Sequence, residues 1–146
     1  MDKVEFEGLE VGDTIRVSGV MTPEPFRTSF NLSTSADTWA NLLHIVFQTQ
    51  DSSAWALDQH LGYWRGAVTE PNSPIQQGED YSFDIELVSA GEYVVRCGDR
   101  FLAFTPQGDS LTTDARCLSV NQQFFGGDLP FEILLIKKDG SQQCLF

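Results

Sequence analysis

The chain breaks into short stretches in which apolar residues fall at every second position. In TIRVSG, residues 14–19, Ile15 and Val17 point one way while Thr14, Arg16 and Ser18 point the other. In YSFDIEL, Tyr81, Phe83, Ile85 and Leu87 form an apolar face opposite Ser82, Asp84 and Glu86, and in FEILLIKK, Phe131, Ile133 and Leu135 alternate with Glu132 and Leu134. A period of two belongs to a β-strand, whose successive side chains leave from opposite faces. Between these stretches lie turn signals: Gly-Asp at 12–13, 98–99, 108–109 and 127–128, Asp139-Gly140, and prolines at 23, 25, 71, 74, 106 and 130. The nearest approach to a helical pattern, STSADTWAN at 33–41, is too polar and too short. Roughly ten short strands at spacings of about 8–12 residues predict an all-β chain folded as an antiparallel two-sheet β-sandwich. The alternation does not fix the strand order.

With 146 residues the chain is expected to form a single domain over 1–146, large enough to bury a core without disulfides. Its net charge of −12 removes the electrostatic footprint that nucleic acids and anionic membranes require, so neither is an expected partner. No stretch approaches the roughly twenty apolar residues of a membrane-crossing helix, and membrane insertion is not expected. The opening MDKVEFEGLE has no apolar core of a signal peptide, and Cys97, Cys117 and Cys144 are odd in number and widely spaced. Both features lead to the expectation of a protein made in the cytoplasm with reduced thiols. The sequon Asn31-Leu32-Ser33 is read as chance.

Residues 42–50, LLHIVFQTQ, place Leu43, Ile45 and Phe47 on one face and His44, Val46 and Gln48 on the other. A strand can present a ligand with a side chain at every other position, so His44 is a candidate binding residue. Just downstream, GYWRGA at 62–67 sets Trp64 after a turn glycine. Trp55, in the apolar stretch SSAWAL, is expected in the core, whereas Trp39 follows the polar run STSAD and is expected on a loop covering a sheet edge.

Taken together these segments resemble the galectins, along nearly the whole chain. GLEVGDTIRVSG resembles the family's opening segment and the strand after it. FRTSFNL resembles the next strand, with its Phe and Asn-Leu ending. LLHIVF matches the strand whose His begins the sugar-binding motif His-x-Asn-x-Arg, and GYWRGAVTE sits where the family has Trp-Gly-x-Glu-x-Arg. IQQGEDYSFDIELVSAGEYVVRCGDRFLAF and FFGGDLPFEILLI resemble the later strands. The resemblance implies a jelly-roll sandwich of the galectin and concanavalin type, and a β-galactoside-binding face. Position by position, it keeps the motif His as His44 and the Trp as Trp64. Val46 stands for the motif Asn, Gln48 for the Arg, Ala67 for the later Glu and Thr69 for the last Arg. The Asn of the intervening strand falls at Leu57 or, with a one-residue gap, at Asp58.

The two kept residues have clear roles in sugar recognition. Galactose has an axial O4, which leaves its opposite face a continuous C–H patch for an indole such as Trp64 to cover. An imidazole such as His44 can donate to or accept from the axial hydroxyl. The missing Arg and Glu each remove a hydrogen bond to a charged group worth roughly 1.5–3 kcal/mol. A millimolar ligand binds with only about −4 kcal/mol, so the expectation is weak binding or altered specificity. Arg65, Gln48, Asp58, His60 and Glu70 are the polar residues near the lost positions, and a one-residue bulge would turn Arg65 into the site.

The expected function is therefore that of a galectin-type lectin for galactoside-containing or related glycans, the alternative being a galectin-fold protein–protein module that has left sugar behind. The resemblance also implies a homodimer or higher homo-oligomer, and export by a route that needs no signal peptide. Catalysis is not expected: no nucleophile-elbow, zinc-protease or phosphate-loop motif occurs. Asp84 and Glu86 read as the solvated side of an alternating strand rather than a catalytic pair. With two histidines and no ligand spacing, no metal or cofactor is expected.

Overall fold

A computed structural model describes residues 3–21, 27–35, 41–49, 53–60, 64–106, 114–121 and 130–146, with residues 27, 60, 64–66, 121, 130 and 131 described by their backbone alone. Among them lie twelve strands and no α-helix: β1 (Lys3–Glu5), β2 (Thr14–Val20), β3 (Arg27–Ser33), β4 (Asn41–Gln48), β5 (Ala54–His60), β6 (Trp64–Pro71), β7 (Asp80–Ser89), β8 (Glu92–Cys97), β9 (Arg100–Phe104), β10 (Cys117–Asn121), β11 (Pro130–Ile136) and β12 (Gln142–Cys144). They form two six-stranded antiparallel sheets, ordered β1-β10-β3-β4-β5-β6 and β12-β11-β2-β7-β8-β9. The expected all-β sandwich is what forms. Trp39 and most of the 33–41 segment lie outside the described residues, as do the Gly-Asp pairs at 108–109 and 127–128.

The period-two faces meet between the sheets. Ile15 and Val17 of β2 and Tyr81, Phe83, Ile85 and Leu87 of β7 face Phe30, Leu32, Leu43, Ile45, Phe47, Trp55 and Leu57 of β3, β4 and β5, all of them buried. Five aromatic rings, Phe30, Phe47, Trp55, Tyr81 and Phe83, form the centre of this core. Phe83 stands edge-on to Phe30 with centroids 4.9 Å apart and tilted against Phe47 at 5.3 Å, and Phe47 stacks on Trp55 at 5.9 Å. Such pairs add to simple area burial, so they hold the sheets in one relative placement. Trp55 is a core residue, as its sequence context predicts.

Two polar devices close the sandwich at its margins. Asp13 is fully buried after the Gly12 turn; it accepts from the Lys137 ammonium at 2.7 Å and from the backbone N–H groups of Glu10 and Lys138 at 2.8 and 3.1 Å. Burial alone would push this carboxyl up, but those donors outweigh it and hold Asp13 below its ordinary value. At the opposite margin Arg100 of β9 reaches across to β6, donating to Glu70 and to the carbonyls of Pro71 and Asn72. The Trp55 indole N–H donates to the same Glu70 oxygen at 3.1 Å. The Arg100 guanidinium and then the indole hold the Glu70 carboxyl below the usual range.

The second sheet's outer face carries the charges expected of a solvated strand side. Asp84 is bound by both Nε and Nη2 of Arg16, at 2.8 and 3.0 Å, and Glu86 lies 3.5 Å from Arg96. Among the described residues Cys97, Cys117 and Cys144 form no disulfide. Asn31 of the sequon lies within β3 with its Oδ1 buried and without a hydrogen-bond partner among the described residues, a poor presentation for glycosylation.

Candidate functional site

β4, β5 and β6 are consecutive in the chain and adjacent in the first sheet, so their outward side chains form a continuous patch. Pairing in register sets His44 against Asp58, Val46 against Ala56 and Gln48 against Ala54, then Ala56 against Thr69. The core side of the same strands takes Leu43, Ile45, Phe47, Trp55 and Leu57. Of the two positions where the intervening Asn falls by resemblance, Leu57 is buried in the core and Asp58 is on the outer face.

The outer face is hollow because its side chains are short. A depression of about 190 Å³ is lined by Val46, Gln48, Ala54, Trp55, Ala56, Asp58 and Thr69. Ala54 and Ala56 leave space over β5 that larger residues would fill, and Ala67 beyond them is exposed. The clue lay in AWALDQ, where Ala54, Ala56 and Asp58 alternate with Trp55, Leu57 and Gln59; read only as an apolar stretch, it hides the groove's floor.

His44 is 5% exposed, far more enclosed than a surface histidine. Its Nδ1 lies 2.7 Å from Oδ1 of Asp58. A carboxylate at that distance accepts the Nδ1 proton, which fixes the ring's tautomer and plane. Asn31 is the neighbour of His44 on the other side, with Ser119 beyond it, so one polar row runs from β10 to β5. Asn31 and Ser119 are members of that row that the motif comparison missed; the alternation in FRTSFNL, with Ser29 and Asn31 opposite Phe30 and Leu32, is the signal for it.

On β6 the pairing slips. Leu57 pairs with Val68 and Gln59 with Arg65, so Gly66 and Ala67 both stand against the single Asp58. This bulge shifts the phase of the strand. The backbone of Trp64 pairs with His60, a position two residues from Asp58 on the same face of β5; that of Arg65 pairs with Gln59, which is fully buried. The expected bulge is present, but the register position it brings into phase with the groove is that of Trp64 and not of Arg65. Glu70, another residue near the lost positions, is engaged by Trp55 and Arg100 at the sheet margin.

The fold and this groove define a two-sheet jelly-roll sandwich with a shallow, polar-edged site on one outer face. No protein-family model and no curated protein sequence matches the chain. Solved structures do, over almost its whole length. Xenopus laevis galectin-Ib superposes with a TM-score of 0.75 at 19% identity, covering 91% of this chain and 97% of that one. CG-16, a homodimeric agglutinin from chicken liver, gives 0.73 at 19% identity with the same coverages. A toad ovary galectin in complex with thio-digalactose gives 0.71 at 17% identity, covering 88% of this chain and 96% of that one. The chain has the galectin fold.

Proposed function

We propose that this chain is a galectin-type lectin that binds β-galactoside-containing or related glycans in the β4–β6 groove, weakly or with altered specificity, and performs no catalysis. The observation that carries the reading is the His44–Asp58 pair at the edge of the groove, with the backbone of Trp64 in phase on the neighbouring strand. Asp58 holds the imidazole in one plane at the edge of the groove, where it shares in recognition of a ligand hydroxyl. Trp64 covers the C–H face of the sugar, and Gln48 and Thr69 offer neutral hydrogen bonds where the family has arginines. Ala67, exposed on β6, completes the rim. The toad galectin in its thio-digalactose complex supports a sugar ligand by likeness of fold.

With both arginines and the Glu replaced, a single site holds a monosaccharide at about millimolar strength. Function at that affinity needs avidity, which a homodimer or higher oligomer supplies by effective concentration. The homodimeric chicken agglutinin is a precedent of the same fold. The reading includes synthesis in the cytoplasm and export without a signal peptide. The five replacements, at Val46, Gln48, Leu57 or Asp58, Ala67 and Thr69, favour the second reading, a protein–protein module that has lost sugar binding.

A glycan array probed with wild-type protein and with Trp64→Ala separates the two. Binding to galactose-terminated glycans that disappears in the variant is the expected result. A folded wild-type protein that binds no glycan contradicts the lectin reading and leaves the interaction module.

A further inference from the structure

We propose that the sugar this groove selects carries a free, protonated amine, held by the carboxylate of Asp58. The proposal rests on the lectin reading and names the ligand class for that same site. Where the resemblance puts arginines and an asparagine, the groove has Gln48, Thr69 and Asp58, so its charge has changed sign. Among the described residues that line it, Asp58 is the only charged one. Oδ1 of Asp58 is taken by His44 at 2.7 Å, and Oδ2 has no hydrogen-bond donor among the described residues. The Asp58 side chain is 19% exposed, open enough to be reached yet withdrawn enough to lose part of its screening by water.

A carboxylate with one oxygen uncommitted, beside neutral hydrogen-bonding groups and an apolar floor of Val46, Ala54 and Ala56, complements a hexosamine better than a neutral or acidic hexose. The sugar ring lies over the alanines, and its ammonium donates to Oδ2. Such a charge-assisted bond is about twice as strong as a neutral one. The chain's charge of −12 acts in the same direction, raising the local concentration of cations and repelling uronic acids and sialylated or sulfated glycans.

The test is a titration of the full chain with galactosamine, galactose, N-acetylgalactosamine and galacturonic acid, at a slightly acidic pH where the amine is protonated, in low and in high salt. Galactosamine is expected to bind about tenfold more tightly than galactose or its N-acetyl form. Galacturonic acid should bind least, and the preference should shrink with salt. Asp58→Asn keeps an oxygen for the His44 Nδ1 proton and should abolish the preference, with the fold checked by circular dichroism. Gln48→Arg, which leaves Asp58 in place and adds a competing cation to the groove, should lower galactosamine affinity about tenfold. If galactose binds wild type as tightly as galactosamine, the amine proposal falls and the lectin reading stands. If none of the four sugars binds, both fall. Equal binding of Nα-acetyl-lysine means that the groove reads an ammonium and not an amino sugar, which also overturns the proposal, as does a preference that survives Asp58→Asn.

Discussion

At the scale of single residues, the two aspartates that matter differ in what they hold. Asp58 orients the His44 imidazole, whereas Asp13 is structural: fully buried, it ties the β1–β2 connection to the end of β11 through Lys137 and two backbone N–H groups. Asp13→Ala leaves those donors without their acceptor and is expected to cost about 3 kcal/mol, read as a lowered midpoint in urea unfolding. Because the folded state holds the Asp13 carboxyl below its unfolded value, its contribution is complete above the unfolded range, near pH 4. It is lost as pH falls through the lower, folded value. Glu70, held down by Arg100, behaves in the same sense. Stability of wild type should therefore drop on acidification below about pH 4, and the drop should be shallower in Asp13→Ala. A wild type as stable at pH 3 as at pH 6 contradicts this account.

At the scale of elements, strand identity was legible and strand phase only in part. YSFDIEL predicts which face of β7 is core because every inward position is apolar, and Tyr81, Phe83, Ile85 and Leu87 are all buried. The Trp64 segment is different. Its phase depends on two residues, Gly66 and Ala67, standing against Asp58, a slip that alternation cannot reveal because it is set by the pairing with β5. Strand order was equally hidden: β1 lies beside β10 and β11 beside β2, partners far apart in sequence. At the sandwich margin, Arg100 joins edge strand β9 of one sheet to edge strand β6 of the other. Arg100→Ala should speed amide hydrogen exchange in β6 and β9 while leaving β2 and β7 protected. Uniform acceleration across both sheets would show that the contact supports the whole fold instead.

At the scale of the molecule, the two sheets are joined by aromatic rings, with Phe47 touching Phe30, Trp55 and Phe83 at once. Phe47→Ala is expected to cost about 3–5 kcal/mol, a large part of the 5–15 kcal/mol typical of a domain. Its check is again the unfolding midpoint, with an effect under about 1 kcal/mol contradicting the assigned core. The sandwich leaves a groove whose outline was partly legible: His44 and Trp64 stood out by motif, while the hollow over Ala54 and Ala56 came only from seeing which residues share a face. The central claim is that this groove is where a sugar binds. The most direct measurement is backbone amide NMR of the full chain titrated with galactose and galactosamine to millimolar excess. Shifts concentrated at His44, Val46, Ala54, Ala56, Asp58 and Thr69 are the predicted result. Shifts on the outer face of β2, β7 and β8, or none at all, would contradict it.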